Sequence, residues 1–233
     1  MSILNFSEIY SKDDIIFVAW SGGLDSTYFI WKALNAGFII KASYFEIMNN
    51  YTKTKRELKA IERILPLFQI FPNFEYLGKG ISVDIKSTRN GLYLCQILVW
   101  LTGIIFNYST ATKIAICYVM NDDAVSYVND IYNLYDAYIP FMHNYPKLTF
   151  PLLKTKKSEE LAELPFDIIS EITFCEGDED NCGYCGPCLK WKTLERDGYV
   201  NSKHYRFNKG TGKSEKDFNT GLQIEEAVPN TNN

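Results

Sequence analysis

A glycine-rich turn with hydroxyl and carboxylate side chains is the first stretch that could do chemistry. Residues 21–27 read SGGLDST and follow the apolar stretch IIFVAW at 15–20. Such a turn between a buried strand and a helix presents backbone N–H groups to an anion, and its hydroxyls are additional donors. Its glycines allow positive φ and a close approach to phosphate oxygens. We therefore predict a phosphate-binding loop at Ser21, Gly22, Gly23, Leu24, Asp25, Ser26 and Thr27.

Asp25 specifies the kind of phosphate site. A carboxylate beside a polyphosphate repels it unless a divalent cation lies between them, so the loop implies Mg²⁺ together with a nucleotide. The alternative is a plain strand-to-helix turn in which Ser and Asp cap the helix. The loop is not a Walker A motif, because no Gly-Lys-Ser/Thr follows at the required spacing.

Four cysteines near the other end of the chain have the spacing of a metal site. Cys175, Cys182, Cys185 and Cys188 form the pattern C-x6-C-x2-C-x2-C, and Gly183 and Gly186 lie at the tight turns. Four thiolates without a nearby histidine favour a closed structural zinc site, with an iron–sulfur cluster as the alternative. Cys95 and Cys117 lie in apolar segments and are interpreted as small core residues.

Composition limits the classes of protein that need to be considered. The chain has 233 residues, of which 46% are hydrophobic and 22% charged, and a net charge of −4. This balance argues against a broad nonspecific nucleic-acid surface. The start of the chain does not resemble a secretory signal, and the longest apolar run, 92–106, is short for a bilayer span. We expect a cytoplasmic protein without membrane segments or disulfides.

Hydrophobic patterning predicts the elements that position these residues. Strands are expected at 13–20, 38–45, 74–77, 113–120 and 148–153, and helices at 25–35, 52–68, from 91 onward, at 123–139 and at 156–164. Gly37 suits a helix C-terminus, and Pro66 is expected to bend or end its helix. The alternation predicts an α/β fold with a parallel sheet sandwiched by helices. We divide the chain into a nucleotide-binding domain at 1–170, a zinc-binding module at 171–207 and a mobile polar tail at 208–233.

The SGGLDST loop resembles the pyrophosphate loop of the N-type ATP pyrophosphatases. The resemblance implies an adenine nucleotide alpha hydrolase-like, Rossmann-like fold and a loop that holds the β- and γ-phosphates while ATP is cleaved at the α-phosphate. A chain that combines this loop with a four-cysteine site near its end is similar to the 7-cyano-7-deazaguanine synthases. TRNGLYL at 88–94, NDDAVSY at 121–127 and the lysine of TFPLLKTKKSEEL at 149–161 occur in that family's order along the chain.

This resemblance implies a reaction and a set of roles. A 7-carboxy-7-deazaguanine is adenylated, ammonia displaces AMP, and a second activation yields the nitrile, in queuosine-type deazaguanine biosynthesis or nucleic-acid modification. The implied cofactors are ATP, Mg²⁺ and Zn²⁺, and the implied assembly is a homodimer. The implied catalytic residues are Asp25, Lys157 and Arg89, and the implied substrate-binding residues are Arg89, Asn90, Asp123 and Tyr127.

The chain departs from the family after its second predicted strand. An Asp-Tyr-Gly-Gln motif is usual there, whereas this chain has SYFEIMNNY, with Glu46 at roughly the acidic position. Two alternatives therefore stay open. One is a related adenylating ligase that acts on another carboxylate or a macromolecular acceptor, and the other is a non-catalytic nucleotide-binding protein.

Overall fold

The computed structural model describes residues 5–47, 51–83, 95–107, 110–120, 122–177 and 181–200. The strands within these residues are β1 (Ile15–Ala19), β2 (Ile39–Ile47), β3 (Phe74–Val83), β4 (Lys113–Ala115) and β5 (Lys147–Thr149). They form one parallel sheet in the order β3-β2-β1-β4-β5. The predicted parallel sheet is thus confirmed.

Helices cover both faces of the sheet, because the central strands are apolar on both sides. In β1, Ile16 and Val18 belong to one core cluster and Phe17 to the other. The helices are α1 (Leu24–Asn35), α2 (Tyr51–Gln69), α3 (Cys95–Asn107), α4 (Val128–Tyr138), α5 (Lys157–Glu163), α6 (Phe166–Ile169) and α7 (Gly186–Arg196). The first cluster receives side chains from α1, α2, α5, α6 and α7, and the second from α3 and α4.

The strand order places a crevice above the middle of the sheet. The chain builds outward from β1 to β2 and β3, then crosses to form β4 and β5 on the other side of β1. The connection that follows β1 and the connection that follows β4 therefore lead toward opposite edges of the sheet. In open parallel sheets, ligands bind at the carboxyl ends of the strands at this point. The segments that follow β1 and β4 are therefore the ones that can form a site.

Several element bounds differ from the sequence-based expectation, among them that of β3, which runs to Val83 where 74–77 was expected. Pro66 does not end α2, which continues to Gln69. Strand β4 stops at Ala115, where its ladder with β5 ends, so 116–120 lies outside the ladder. The helix expected at 123–139 begins as a 3₁₀-helix, Asp123–Tyr127, and is α-helical from Val128. Gly37 follows α1 with φ of +82°, as expected of a helix C-terminus.

The cysteine-bearing segment shares the core of the sheet. Ile172, Trp191 and Val200 are buried in the cluster that contains α1 and α2. The domain boundaries at 170 and 207 stay a prediction, and the polar tail at 208–233 lies outside the described residues. None of the helices that the structure describes is long and apolar enough to cross a bilayer.

Candidate functional site

The turn between β1 and α1 is shaped by Gly22. Its φ is +70°, and a Cβ at this position would lie 3.0 Å from the Cβ of Ala60 and 3.1 Å from the carbonyl oxygen of Glu57, both on α2. A side chain here would therefore be strained by the left-handed conformation and crowded against α2. Gly23 is the N-cap of α1, so the first backbone N–H groups of that helix open beside the turn.

The three hydroxyls of the predicted loop have different surroundings. Ser21 and Ser26 line a cleft at the end of the sheet. Ser26 is only 8% exposed, and its Oγ has no hydrogen-bond partner among the described residues. Thr27 is fully buried, and its Oγ1 accepts a hydrogen bond of 2.9 Å from Trp20 Nε1. Thr27 thus lies in the core, and the expected contact from its hydroxyl to phosphate does not fit this placement.

The cleft has a volume of about 710 Å³ and lies at the carboxyl ends of β1 and β4. Its walls come from the glycine turn, the start of α1, the segment after β4, the start of α5, the segment before Cys175 and helix α7. A cleft of this size accommodates a nucleotide-sized ligand. Its charged lining residues are Asp25, Lys53, Glu57, Asp122, Asp123, Lys157, Glu176 and Lys190.

Asp25 and Lys157 meet in the cleft. Lys157 Nζ lies 2.5 Å from Asp25 Oδ1 and 2.7 Å from Oδ2, and 3.9 Å from Asp122 Oδ1. Burial disfavours the ammonium, but the two carboxylates outweigh it and raise the pKa of Lys157. Asp122 also accepts a hydrogen bond from the N–H of Val119, although burial raises the pKa of its carboxyl. Two of the predicted catalytic residues, Asp25 and Lys157, are therefore brought together.

A third carboxyl group lies beneath this pair. Glu160 is fully buried on α5, and neither of its carboxyl oxygens has a hydrogen-bond partner among the described residues within ordinary distance. Burial and then the neighbouring Asp25 carboxylate raise the pKa of Glu160 well above its usual range. The raised pKa favours the neutral form of Glu160 over a wider pH range than for an exposed glutamate.

The residues predicted to contact the substrate are only partly assembled. Asp123 lines the cleft, whereas Tyr127 is 37% exposed and does not line it. Glu46 pairs with Lys79 on β3, and the hydrogen bond from this lysine lowers the pKa of Glu46. Arg89 and Asn90 lie outside the described residues.

The four predicted metal ligands converge. The sulfur atoms of Cys175, Cys182, Cys185 and Cys188 all lie within 4.8 Å of one another, and those of Cys182 and Cys188 are 3.9 Å apart. Tetrahedral ligands with Zn–S bonds of about 2.3 Å would be separated by about 3.8 Å. The spacing therefore suits one ion better than a cluster whose thiolates bind different irons.

Backbone N–H groups favour the thiolate form of Cys182, whereas burial raises the pKa of Cys175 and of Cys188. The N–H groups of Glu176, Cys182 and Cys185 each lie 3.4 Å from a cysteine sulfur. Burial raises the pKa of Cys182, but N–H groups of Tyr184 and Cys185 and the neighbouring thiols more than offset it and lower this pKa to about 7. Gly183 has φ of +79°, as the tight turn between the ligands requires. The donor set fits a bound metal ion.

Several cleft residues escaped the sequence analysis. Asp122 was passed over for its neighbour Asp123, since spacing alone cannot fix which of two adjacent aspartates faces a site. Glu160 carried a usable signal, because it shares the inward face of α5 with Leu164 and a buried carboxyl is rare. The others come together only through the fold; they are Lys53, Glu57, Trp100, Phe174, Lys190 and Trp191.

Comparison with known proteins does not identify a family. No protein-family model matches the chain, and no curated protein does. Among the solved structures that match is NMN synthetase from Francisella tularensis, with a TM-score of 0.38 and 16% identity over 72% of this chain and 68% of that one. A likeness of this extent says nothing about the activity of this chain.

Proposed function

We propose that the chain binds ATP with Mg²⁺ in the cleft and transfers the adenylyl group to a carboxylate, with release of pyrophosphate. The observation that carries this proposal is the Asp25–Lys157 pair beside the glycine turn, at the carboxyl end of β1. It combines a carboxylate for a divalent cation, a cation for phosphate and free helix N–H groups in one place. This combination, together with the parallel sheet, supports an adenine nucleotide alpha hydrolase-like fold for this chain.

Each residue has a distinct part in the proposed chemistry. The N–H groups at the start of α1 and the buried hydroxyl of Ser26 bind the pyrophosphate that leaves, which favours cleavage at the α-phosphate. Lys157 offsets the charge that develops on the phosphates, and the carboxylate of Asp25 would hold Mg²⁺. Bound Mg²⁺ supplies Lewis-acid stabilisation of the phosphate oxygens. The protein needs no nucleophile of its own, because positioning supplies much of the rate.

The substrate we propose first is 7-carboxy-7-deazaguanine, with ammonia as the nitrogen donor. The glycine loop, Asp123 in the cleft and the terminal cysteine cluster support it. Phe174 and Trp191, whose rings stack on each other with centroids 4.3 Å apart, line the same cleft and give it an apolar aromatic border. We also propose that the cysteine cluster holds a structural Zn²⁺, since four thiolates leave no open position.

The test is to incubate the purified protein with Mg²⁺, ATP, ammonia and the carboxylate, and to follow AMP, pyrophosphate and product mass together. Asp25→Asn and Lys157→Met are expected to abolish AMP formation with zinc content unchanged. The matched control is Asp130→Asn, an exposed aspartate on α4 that does not line the cleft. Formation of ADP in place of AMP would contradict adenylyl transfer.

Two outcomes of this assay would redirect the proposal. AMP formation only with another carboxylate or a macromolecular acceptor would keep the reaction class and replace the deazaguanine substrate. Tight ATP binding without release of pyrophosphate would show a non-catalytic nucleotide-binding protein.

A further inference from the structure

The segment before the first cysteine is tied to the glycine turn and to α2 at once. The N–H of Thr173 donates a hydrogen bond of 3.0 Å to the carbonyl oxygen of Gly22. Arg56, on α2, donates from Nη2 to the carbonyl oxygens of Cys175 at 2.9 Å and Gly177 at 2.6 Å. One guanidinium thus holds the backbone on both sides of residue 176.

Helix α2 contacts the turn and the cysteine segment from one face. Arg56 and Ala60 are four residues apart, so their side chains are neighbours on the helix surface. Ala60 packs against Gly22, at the distance that would crowd a side chain there, while Arg56 reaches the cysteine segment. A movement of that segment relative to α2 would therefore displace the glycine turn.

The cysteine cluster joins this segment to α7. Cys175 ends the segment, and Cys188 lies in the first turn of α7. Thr173, Phe174 and Cys175 line the cleft from one side of the junction, and Gly186, Pro187 and Trp191 line it from the other. An ion that binds Cys175 and Cys188 together therefore fixes the cleft wall that borders the glycine turn.

We propose that Arg56 is a positioning residue that links metal binding at the cysteine cluster to the glycine turn, so that the metal ion and the nucleotide bind cooperatively. This inference rests on the proposed nucleotide site. Coupling of this kind is reciprocal in affinity: the nucleotide must tighten metal binding by the same factor as the metal tightens nucleotide binding. Because differences in affinity between related complexes lie mostly in the dissociation rate, we expect the nucleotide to slow metal release. Removing the guanidinium leaves all four sulfurs in place, and it leaves the segment held to the turn by the Thr173 hydrogen bond.

The experiment compares Arg56→Met with Arg63→Met in the full-length, zinc-loaded chain. Arg63 is also on α2, but it pairs at 3.4 Å with the half-buried side chain of Glu171, two residues before Thr173, and not with the backbone at Cys175 and Gly177. ATP affinity is measured with Mg²⁺ by calorimetry, and zinc transfer to a chromogenic chelator is timed with and without ATP. Hydrogen exchange at the Thr173 amide reports on the turn without any nucleotide.

In the wild type and in Arg63→Met, saturating ATP is expected to slow zinc release by about fivefold or more, the lower end of ordinary coupling. In Arg56→Met this slowing should fall below about twofold, ATP affinity should weaken by about fivefold, and the Thr173 amide should exchange faster, all at full zinc content. Arg56→Lys, which can donate to one carbonyl at a time, should restore part of each effect. Arg56→Lys also replaces Arg56→Met as the test variant if Arg56→Met does not fold.

Three results would overturn the inference. Zinc release that ATP does not change, in a protein that binds ATP, removes the coupling and leaves the proposed function intact. Wild-type Thr173 exchange in Arg56→Met removes Arg56 as the link. A wild-type protein that binds no ATP overturns the proposed function and the cooperativity together, while the exchange measurement still decides whether Arg56 connects the cluster to the turn.

Discussion

Substituting alanine for Gly22 tests the phosphate loop and its packing together. Gly22 has φ of +70°, and a Cβ there would lie 3.0 Å from the Cβ of Ala60 and 3.1 Å from a backbone oxygen. Gly37 is a matched control with φ of +82°, where the nearest atom to a new Cβ is the flexible end of Lys12 at 3.7 Å. Both substitutions impose a left-handed alanine, but only Gly22→Ala also overpacks a helix contact.

The expected magnitudes follow from these two contributions. A left-handed L-residue costs about 1–2 kcal/mol. Overpacking against backbone and a buried Cβ adds about 1–3 kcal/mol. We therefore expect the free energy of unfolding to fall by about 1–2 kcal/mol in Gly37→Ala and by about 2–5 kcal/mol in Gly22→Ala. The restriction of the unfolded chain by alanine is common to both variants and cancels in the comparison.

Urea denaturation measures the stabilities, and calorimetry with ATP and Mg²⁺ measures binding under conditions where both variants are folded. Gly22→Ala is expected to lose most of its ATP affinity, because the turn must shift to admit the methyl group, while Gly37→Ala keeps wild-type affinity. If Gly22→Ala were no less stable than Gly37→Ala, the close approach of α2 to the turn would be wrong. Wild-type ATP affinity in Gly22→Ala would refute the phosphate loop itself.

Three further predictions concern single side chains. Ser26→Ala is expected to weaken ATP binding without loss of stability. Thr27→Val should leave ATP affinity unchanged but lower the free energy of unfolding by about 1–3 kcal/mol, because the buried indole N–H of Trp20 loses its acceptor. The reverse pattern would exchange the roles of the two hydroxyls. Glu160 should contribute a loss of stability as pH rises above about 4.5, the ordinary pKa of glutamate, because its folded-state pKa is raised. Glu160→Gln lacks this loss, so in urea denaturation its free energy of unfolding should rise relative to that of the wild type by up to about 1.4 kcal/mol per pH unit. A difference between the two proteins that does not change with pH would contradict the raised pKa of Glu160. Cys188→Ser should release the metal and lower the melting temperature, with Cys117→Ser retaining full metal content; equal metal content in both would contradict the four-thiolate site.

The sequence predicted the elements with strong local signals. The run IIFVAW specified a buried parallel strand, and the turn after it could be placed because glycine and a following helix leave few conformations. The cysteine cluster was predictable for the same reason, since short spacings bring sulfurs together whatever the rest of the fold does. The extent of β4 was not predictable from its own residues, because 116–120 continues the apolar run while the β4–β5 ladder ends at the pair Ala115 and Thr149.

Cleft residues that depend on long-range packing could not be predicted. The pairing of Asp25 with Lys157 joins helices 132 residues apart and arises because α1 and α5 pack on the same face of the sheet. Arg56 has no motif around it, and only the fold shows that it reaches the backbone of the cysteine segment. Lys157 could be predicted only from the resemblance to a family, because the residues around it carry no local pattern that indicates a phosphate contact.

The charge balance of the cleft bears on what must accompany a phosphate there. Five acidic residues line it, Asp25, Asp122, Asp123, Glu57 and Glu176, against three lysines, Lys53, Lys157 and Lys190. A bare polyphosphate entering such a lining meets net repulsion, and Lys157 is already engaged by Asp25. A divalent cation relieves both problems, since it neutralises Asp25 and frees the ammonium for the phosphates. ATP binding by this cleft should therefore depend on Mg²⁺ more strongly than binding to a basic loop would.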